Sequence, residues 1–193
     1  MKKTGWIVIG VIVLLVLWIF CSYNGIVGVQ EQTTTELANV QAQYQRRADM
    51  MPQLAKIVKA YAKHEKETFE AVTKARASVG QVKLDAANLT PENLKAYSDA
   101  QGELAQAFSK LMVVAEKYPE LKASENFRSL QVQEEGTENR ISEARRKYND
   151  AVQAYNVKVR KMPAAIVARL FGFQTMPKFE ASAGAEKAPD LDI

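Results

Sequence analysis

A single cysteine, Cys21, and a single histidine, His64, exclude most site chemistries at the outset. One cysteine forms no internal disulfide. One histidine supplies neither a zinc site of several imidazoles nor the paired Glu-x-x-His motifs of a di-iron bundle. His64-Glu65-Lys66-Glu67-Thr68 begins like the H-E-x-x-H zinc motif, but Thr68 stands where the second histidine is needed. A glycine-rich phosphate loop is also missing; Gly25-Ile26-Val27-Gly28 is a bare G-x-x-G. Cys21 has no base within sequence reach, and Asn88-Leu89-Thr90, a glycosylation pattern, has a better use as a helix start. No cofactor, no metal and no catalytic set is expected. Nor does Val or Ile alternate with polar residues over any useful length, so strands are not expected. An excess of one charge is lacking too: 26 Lys and Arg face 22 Asp and Glu, a net charge of +4. Interleaved in this way they give no basic stripe for nucleic acid, although they suit anionic headgroups or acidic partners.

What the chain does have is Trp6 to Cys21, WIVIGVIVLLVLWIFC, sixteen apolar or glycine residues in a row. Lys2 and Lys3 precede it, and no charge follows until Glu31. At ~1.5 Å per residue, residues 5–24 make a helix that crosses a hydrocarbon core of about 30 Å. Trp6, Trp18 and Tyr23 lie toward its two ends, where amphipathic rings favour the headgroup zone. A cleaved signal peptide has a shorter apolar region and a small-residue cleavage site. Phe20 and Trp18 before Cys21 do not make a lipobox. A single uncleaved span is therefore expected. The two lysines place residues 1–4 in the cytoplasm and the rest on the periplasmic or extracytoplasmic side of a bacterial inner membrane.

The remaining residues are rich in Ala, Glu, Lys, Gln and Leu, the strong helix formers, which predicts an all-α domain over 25–173. Ile26 to Ala48 reads as a first helix of the domain, either separate from the span or continuous with it, with Asn24-Gly25 and Gly28 as weak points. Leu54 to Val79 reads as a second, closed by Gly80. Thr90-Pro91-Glu92-Asn93 is a strong start for a third: a hydroxyl cap, Pro at the first position, an acid in the first turn. Its seam, Leu94, Tyr97, Gln101, Leu104, Phe108, Leu111, Ala115 and Tyr118, repeats at heptad spacing. Ser124 is a candidate cap for the last long helix, whose seam runs from Phe127 through Glu134 and Thr137 to Tyr155. Pro163 stops it, Ala164 to Phe171 forms a short helix closed by Gly172, and 174–193 reads as a flexible tail. Antiparallel packing buries the seams. Pro52 ends, kinks or restarts a helix. A reversal there makes an up-and-down four-helix bundle; a kink makes a three-helix bundle with a long first helix.

Several patches resemble the LemA family: Gln43 to Asp49 with Pro52-Gln53-Leu54, Tyr61-Ala62-Lys63-His64-Glu65, Ala75-Arg76-Ala77, Tyr118 to Ala123, Arg146-Lys147-Tyr148-Asn149 and Tyr155-Asn156. They occur in the family's order and span most of the chain. The resemblance implies a single-pass bacterial membrane protein with an antiparallel four-helix bundle, and so favours reversal at Pro52. It implies no enzymatic activity; some relatives are associated with building magnetosome membranes.

Two constellations remain. Glu134 and Thr137 interrupt an apolar seam. Either the seam is solvated there, or they form a polar core layer with Arg46, Arg47 or Arg76. Lys158, Arg160, Lys161 and Arg169 flank the apolar Ala164 to Phe173. This is either a solvated helix end that complements the helix dipole, or an interfacial helix. In a four-helix bundle the fourth helix returns to the membrane, which makes Ile166, Arg169, Leu170, Phe171 and Phe173 a second membrane contact. The expected function is a non-enzymatic, membrane-anchored scaffold or adaptor that binds other membrane or envelope proteins. The alternative is a membrane-surface-binding or membrane-shaping protein; self-association through the heptads is compatible with both.

Overall fold

Sixty residues, Lys2–Tyr61, form one uninterrupted helix, α1, about 90 Å long. Its N-terminal part is long and apolar enough to cross a membrane, and none of its most apolar eighteen-residue window is buried in the protein. From Ile26 onward one face of the same helix is buried. The computed structural model describes residues 2–82 and 84–180; the part of the expected tail from 181 to 193 lies outside the described residues.

The chain does not reverse at Pro52. Pro52 lies inside α1, and the reversal comes ten residues later, over Ala62 to Glu65, where the Glu65 amide donates to the Ala62 carbonyl at 3.2 Å. The helix loses one N–H at Pro52, which costs about 3 kcal/mol. Met51, Leu54, Val58 and Ala62 are all buried along the face that continues past it. At about 1.5–3 kcal/mol for each large apolar side chain, that burial outweighs the lost bond. Asp49-Met50-Met51 also has no Gly or Asn to turn the chain. The stretch expected as one helix from Leu54 to Val79 is accordingly split.

After this turn come α2 (Lys66–Gln81), a 3-10 turn (Ala86–Asn88), α3 (Pro91–Glu116), the one-turn α4 (Pro119–Ala123), α5 (Glu125–Arg160) and α6 (Ala164–Leu170). The described residues thus form six α-helices rather than four, with no strand among them. The Thr90 hydroxyl accepts from the Asn93 amide at 3.2 Å, as its cap signature requires. Ser124 is the N-cap residue of α5 but makes no side-chain cap bond.

Side-chain pairs give the directions of the four long helices. Lys59 on α1 lies over Phe69 near the start of α2, while Gln45 faces Gly80 near its end, so these two run antiparallel. Tyr44 meets Tyr97 and Arg47 meets Gln101, so α3 runs with α1. Arg47 pairs with Glu138 and Ile26 clusters with Tyr155, so α5 runs back along α1. Chain direction therefore alternates from one long helix to the next. At 16 and 26 residues, α2 and α3 are too short to follow the 36-residue α5 to its end. Beyond them the α1–α5 pair is covered instead by α6 and by an extended segment, 174–180. That segment was expected to be flexible, but Met176 and Phe179 join the core clusters there.

A continuous helix makes Pro52 a cost and not a turn former. Pro52→Ala is expected to stabilise the domain by about 1–3 kcal/mol, with helix content unchanged, in chemical denaturation followed by circular dichroism. A neutral or lowered midpoint would contradict a helix that runs through residue 52.

Candidate functional site

Arg47 is only 4% exposed, and its guanidinium is the centre of a buried polar layer. Nη2 donates to the Gln101 backbone carbonyl at 2.8 Å and to Gln101 Oε1 at 3.1 Å, and Nη1 is paired with Glu138. The guanidinium also lies 5.4 Å from the Tyr44 ring centroid. Glu134, 4% exposed, shares a void of about 10 Å³ with Arg47, Met50, Met51, Leu54, Phe108 and Leu130. That is about the size of one water. Glu134 Oε2, Arg47 Nε and Gln101 Nε2 find no hydrogen-bond partner. Burial foremost, then the nearby Glu138 carboxylate, pushes the Glu134 carboxyl up to about 7, against the opposing pull of Arg47. Thr137 is fully buried, its hydroxyl donating to the Gln133 carbonyl of its own helix at 2.8 Å.

Of the three arginines considered for this layer, only Arg47 enters it. Arg46 and Arg76 are exposed, because α1 turns position 46 outward and α2 carries Arg76 to the rim of an open α1–α2 groove of about 710 Å³. Gln101 and Glu138 complete the layer and were not anticipated. Gln101 was visible as a polar residue in the α3 seam, and Glu138 lies one turn beyond Glu134.

At the other end of the domain α6 packs against the emerging α1. Tyr23 meets Phe171 edge-on at 4.9 Å and Phe173 at 5.5 Å. Trp18 and Ile19 pack on a cluster of Ile26, Tyr155, Val159, Val167 and Ala168. Gly172, with φ of +76°, lets the chain turn there: the Phe173 amide reaches back to the Ala168 carbonyl at 2.9 Å. Gly25 admits the Lys158 side chain, whose Nζ would lie 3.3 Å from an added Cβ. The outer face of this base is apolar, with Met162, Ile166, Leu170 and Phe171 all exposed beside exposed Arg169. Trp6 is exposed far along the apolar part of α1. The sequence-predicted residues from Trp18 to Phe173 thus gather in one collar, and Trp6 stands apart from it.

A third feature went unread in the sequence. Asn156 and Asn149, seven residues and so about two helical turns apart, each form a double hydrogen bond with the backbone of segment 174–180. Asn156 receives the Met176 N–H and donates to the Met176 carbonyl, both at 2.8 Å. Asn149 does the same for Phe179, both at 2.9 Å. The signal was the Tyr-Asn dipeptide, which occurs at 148–149 and again at 155–156. Among the described residues no three His, Cys, Asp or Glu side chains gather where a metal ion could be held.

These features define an all-helical protein whose first helix passes from a membrane-crossing length of apolar sequence directly into a packed core. The chain belongs to the LemA family, whose model matches residues 36–192. It is similar to magnetosome proteins MamQ 1 and MamQ 2 of Paramagnetospirillum magneticum, 26% identical over 175 residues, covering 82% of this chain. Magnetosome protein MamQ of Magnetospirillum gryphiswaldense is 25% identical over 174 residues, covering 81% of this chain. The match spans 64% of the length of each of these relatives.

The polar layer generates two expectations. Arg47→Ala removes the guanidinium at its centre and should cost about 2–4 kcal/mol in denaturant unfolding, whereas Arg76→Ala should stay within about 0.5 kcal/mol. For Glu134 the folded-state value, about 7, lies above the ordinary 4.5, so the folded state binds the extra proton between these values. Stability is therefore greatest at or below about pH 4.5 as far as this group is concerned, and falls by about 1–3 kcal/mol as pH rises through 7. Glu134→Gln should flatten that decline, read as the difference in unfolding free energy between the variant and the parent from pH 5 to pH 8.

Proposed function

We propose that this protein is a non-enzymatic scaffold or adaptor of a bacterial inner membrane. Residues 5–24 anchor it, and the helical domain stands on the periplasmic or extracytoplasmic side to engage other membrane or envelope proteins. The observation that carries this reading is the continuity of α1. The helix that would cross the bilayer is the same helix whose later turns hold Leu37, Val40, Tyr44 and Arg47 in the core. A domain joined by a flexible linker tumbles on its anchor; one built on the anchor itself presents fixed faces at fixed heights. Lys2 and Lys3 support the orientation. Membership of the LemA family and the magnetosome naming of its relatives support a membrane-associated role without catalysis.

A second function, direct engagement of the lipid surface, is favoured by the collar. Ile166, Leu170 and Phe171 are exposed beside Tyr23, at the end of the anchor, with Arg169, Lys158, Arg160 and Lys161 nearby. Apolar side chains at the acyl boundary with cations at headgroup level form an interfacial contact. The domain then stands on the membrane at two points, the span and α6.

Both readings are tested in one preparation of the full-length chain in vesicles. A fluorophore at position 171 should be quenched by lipid-borne probes far more than one at Val113, an exposed residue of α3 toward the opposite end. Equal aqueous exposure at the two positions would remove the α6 contact. For the adaptor reading, cross-linking in native membranes should give reproducible heterologous adducts that disappear when the domain is replaced by an unrelated helical bundle. Recovery of monomers alone would end that reading.

A further inference from the structure

Segment 174–180 is an extended peptide lying antiparallel on α5, and besides closing the core with Met176 and Phe179 it is held through its main chain, as a bound peptide is. Between Asn149 and Asn156 a helix rises ~10.5 Å, and three residues of extended chain from Met176 to Phe179 cover ~10 Å. The two repeats coincide, so each asparagine meets a main-chain N–H and C=O pair. Between them the Tyr148 hydroxyl donates to the Pro177 carbonyl at 2.9 Å. Burial raises the pKa of that phenol, which keeps it a donor. Proline suits the position because only its carbonyl is used.

Two apolar side chains add selectivity. Phe179, 6% exposed, stacks edge-on against Tyr148 at 5.2 Å, under the Arg145 guanidinium at 5.2 Å. Met176 packs at the junction of the middle and basal clusters. Lys178 faces outward and reaches Gln153 at 3.0 Å. None of these bonds belongs to the backbone ladder of α5, so the segment can leave with the helix intact.

We propose that this face of α5 is a peptide-binding site for an extended segment of a partner protein carrying the pattern apolar–Pro–x–aromatic, and that residues 176–179 are its resident occupant. The site reads main-chain groups at Met176, Pro177 and Phe179 and side chains at two of these, so it requires that pattern and not this particular sequence. The resident segment competes at the high effective concentration of a tethered ligand. A partner gains the site when it too is confined to the same membrane surface. This deepens the adaptor reading by giving it a docking site, and it rests on that reading.

The test uses the full chain in detergent and a fluorescent heptapeptide of residues 174–180. Phe179→Ala loosens the resident segment, and the labelled peptide should bind this variant at least about ten-fold more tightly than the parent chain. Methylating the peptide's Met and Phe amides removes two donors and should weaken binding by about ten-fold or more. Adding Asn149→Ala and Asn156→Ala to Phe179→Ala should abolish it. Equal binding with and without the two asparagines would overturn the site. A second measurement avoids variants that fail to fold: in the parent chain the Met176 and Phe179 amides should exchange hydrogen at least about ten-fold faster than those of Tyr148 to Tyr155. Exchange of the two groups at one rate would show release only on global unfolding and would overturn the proposal. Peptide binding that appears only through exchange of segments between two copies would replace the partner with a second copy and overturn the partner assignment. Heterologous cross-links that survive the asparagine substitutions would leave the adaptor reading standing and sink this site alone.

Discussion

α1 has to satisfy two environments with one unbroken hydrogen-bond ladder, and the rest of the fold follows from how it does so. Its first part keeps apolar side chains on every face, while from Ile26 onward only one stripe is buried. A single helix cannot bury that stripe by itself. The partner that runs beside it is α5, about 54 Å of helix, and the two lie antiparallel from Arg47–Glu138 down to Ile26–Tyr155. The shorter α2 and α3 then complete the core only toward the end remote from the apolar run. Pro52 is tolerated because Met51 and Leu54 are buried on either side of it.

Most of the helical architecture was legible in the amino-acid sequence. Heptad spacing in α3 and α5 identified seams that are largely buried, and Thr90-Pro91 marked a helix start that bears its cap bond. Turn placement was less legible. The signal at Pro52 is local and strong, whereas the competing gain from Met51 to Ala62 is distributed and tertiary, so the local reading overstates it. The actual reversal at Ala62-Lys63-His64-Glu65 has no Gly or Pro to mark it. The ordering of 174–180 was hidden for a related reason: its composition is that of a tail, and what holds it is side chains twenty to thirty residues upstream.

The buried layer was half legible. Glu134 stood out as a carboxylate on an apolar seam, but which arginine reaches it depends on the rotation of α1, and that is set by the whole α1–α5 contact. One residue separates Arg46 in solvent from Arg47 in the core. The layer is not an optimised source of stability, since three of its buried polar atoms lack partners. Its geometry suits registration instead. Arg47 reaches Gln101 on α3 and Glu138 on α5 from one guanidinium, so sliding α3 by a turn breaks buried hydrogen bonds to a charge, and sliding α5 breaks an ion pair with the half-exposed Glu138. An apolar layer would tolerate that slip more readily, because Leu and Val seams repeat every turn or two.

Register at the layer controls geometry at the base, tens of ångströms away. α5 is stiff between Glu138 and Lys158, so fixing the first against Arg47 fixes the second over Gly25. The height of α6 beside Tyr23 follows, and so does the alignment of Asn149 and Asn156 with the segment that returns from α6. A shift of one turn would move the collar about 5.4 Å along α1. Such a shift is as large as the 4.9 Å spacing between the Tyr23 and Phe171 rings and would separate them. The partly satisfied polar layer near the middle and the apolar collar at the base are thus two ends of one rigid measure, with α1 and α5 as its rails.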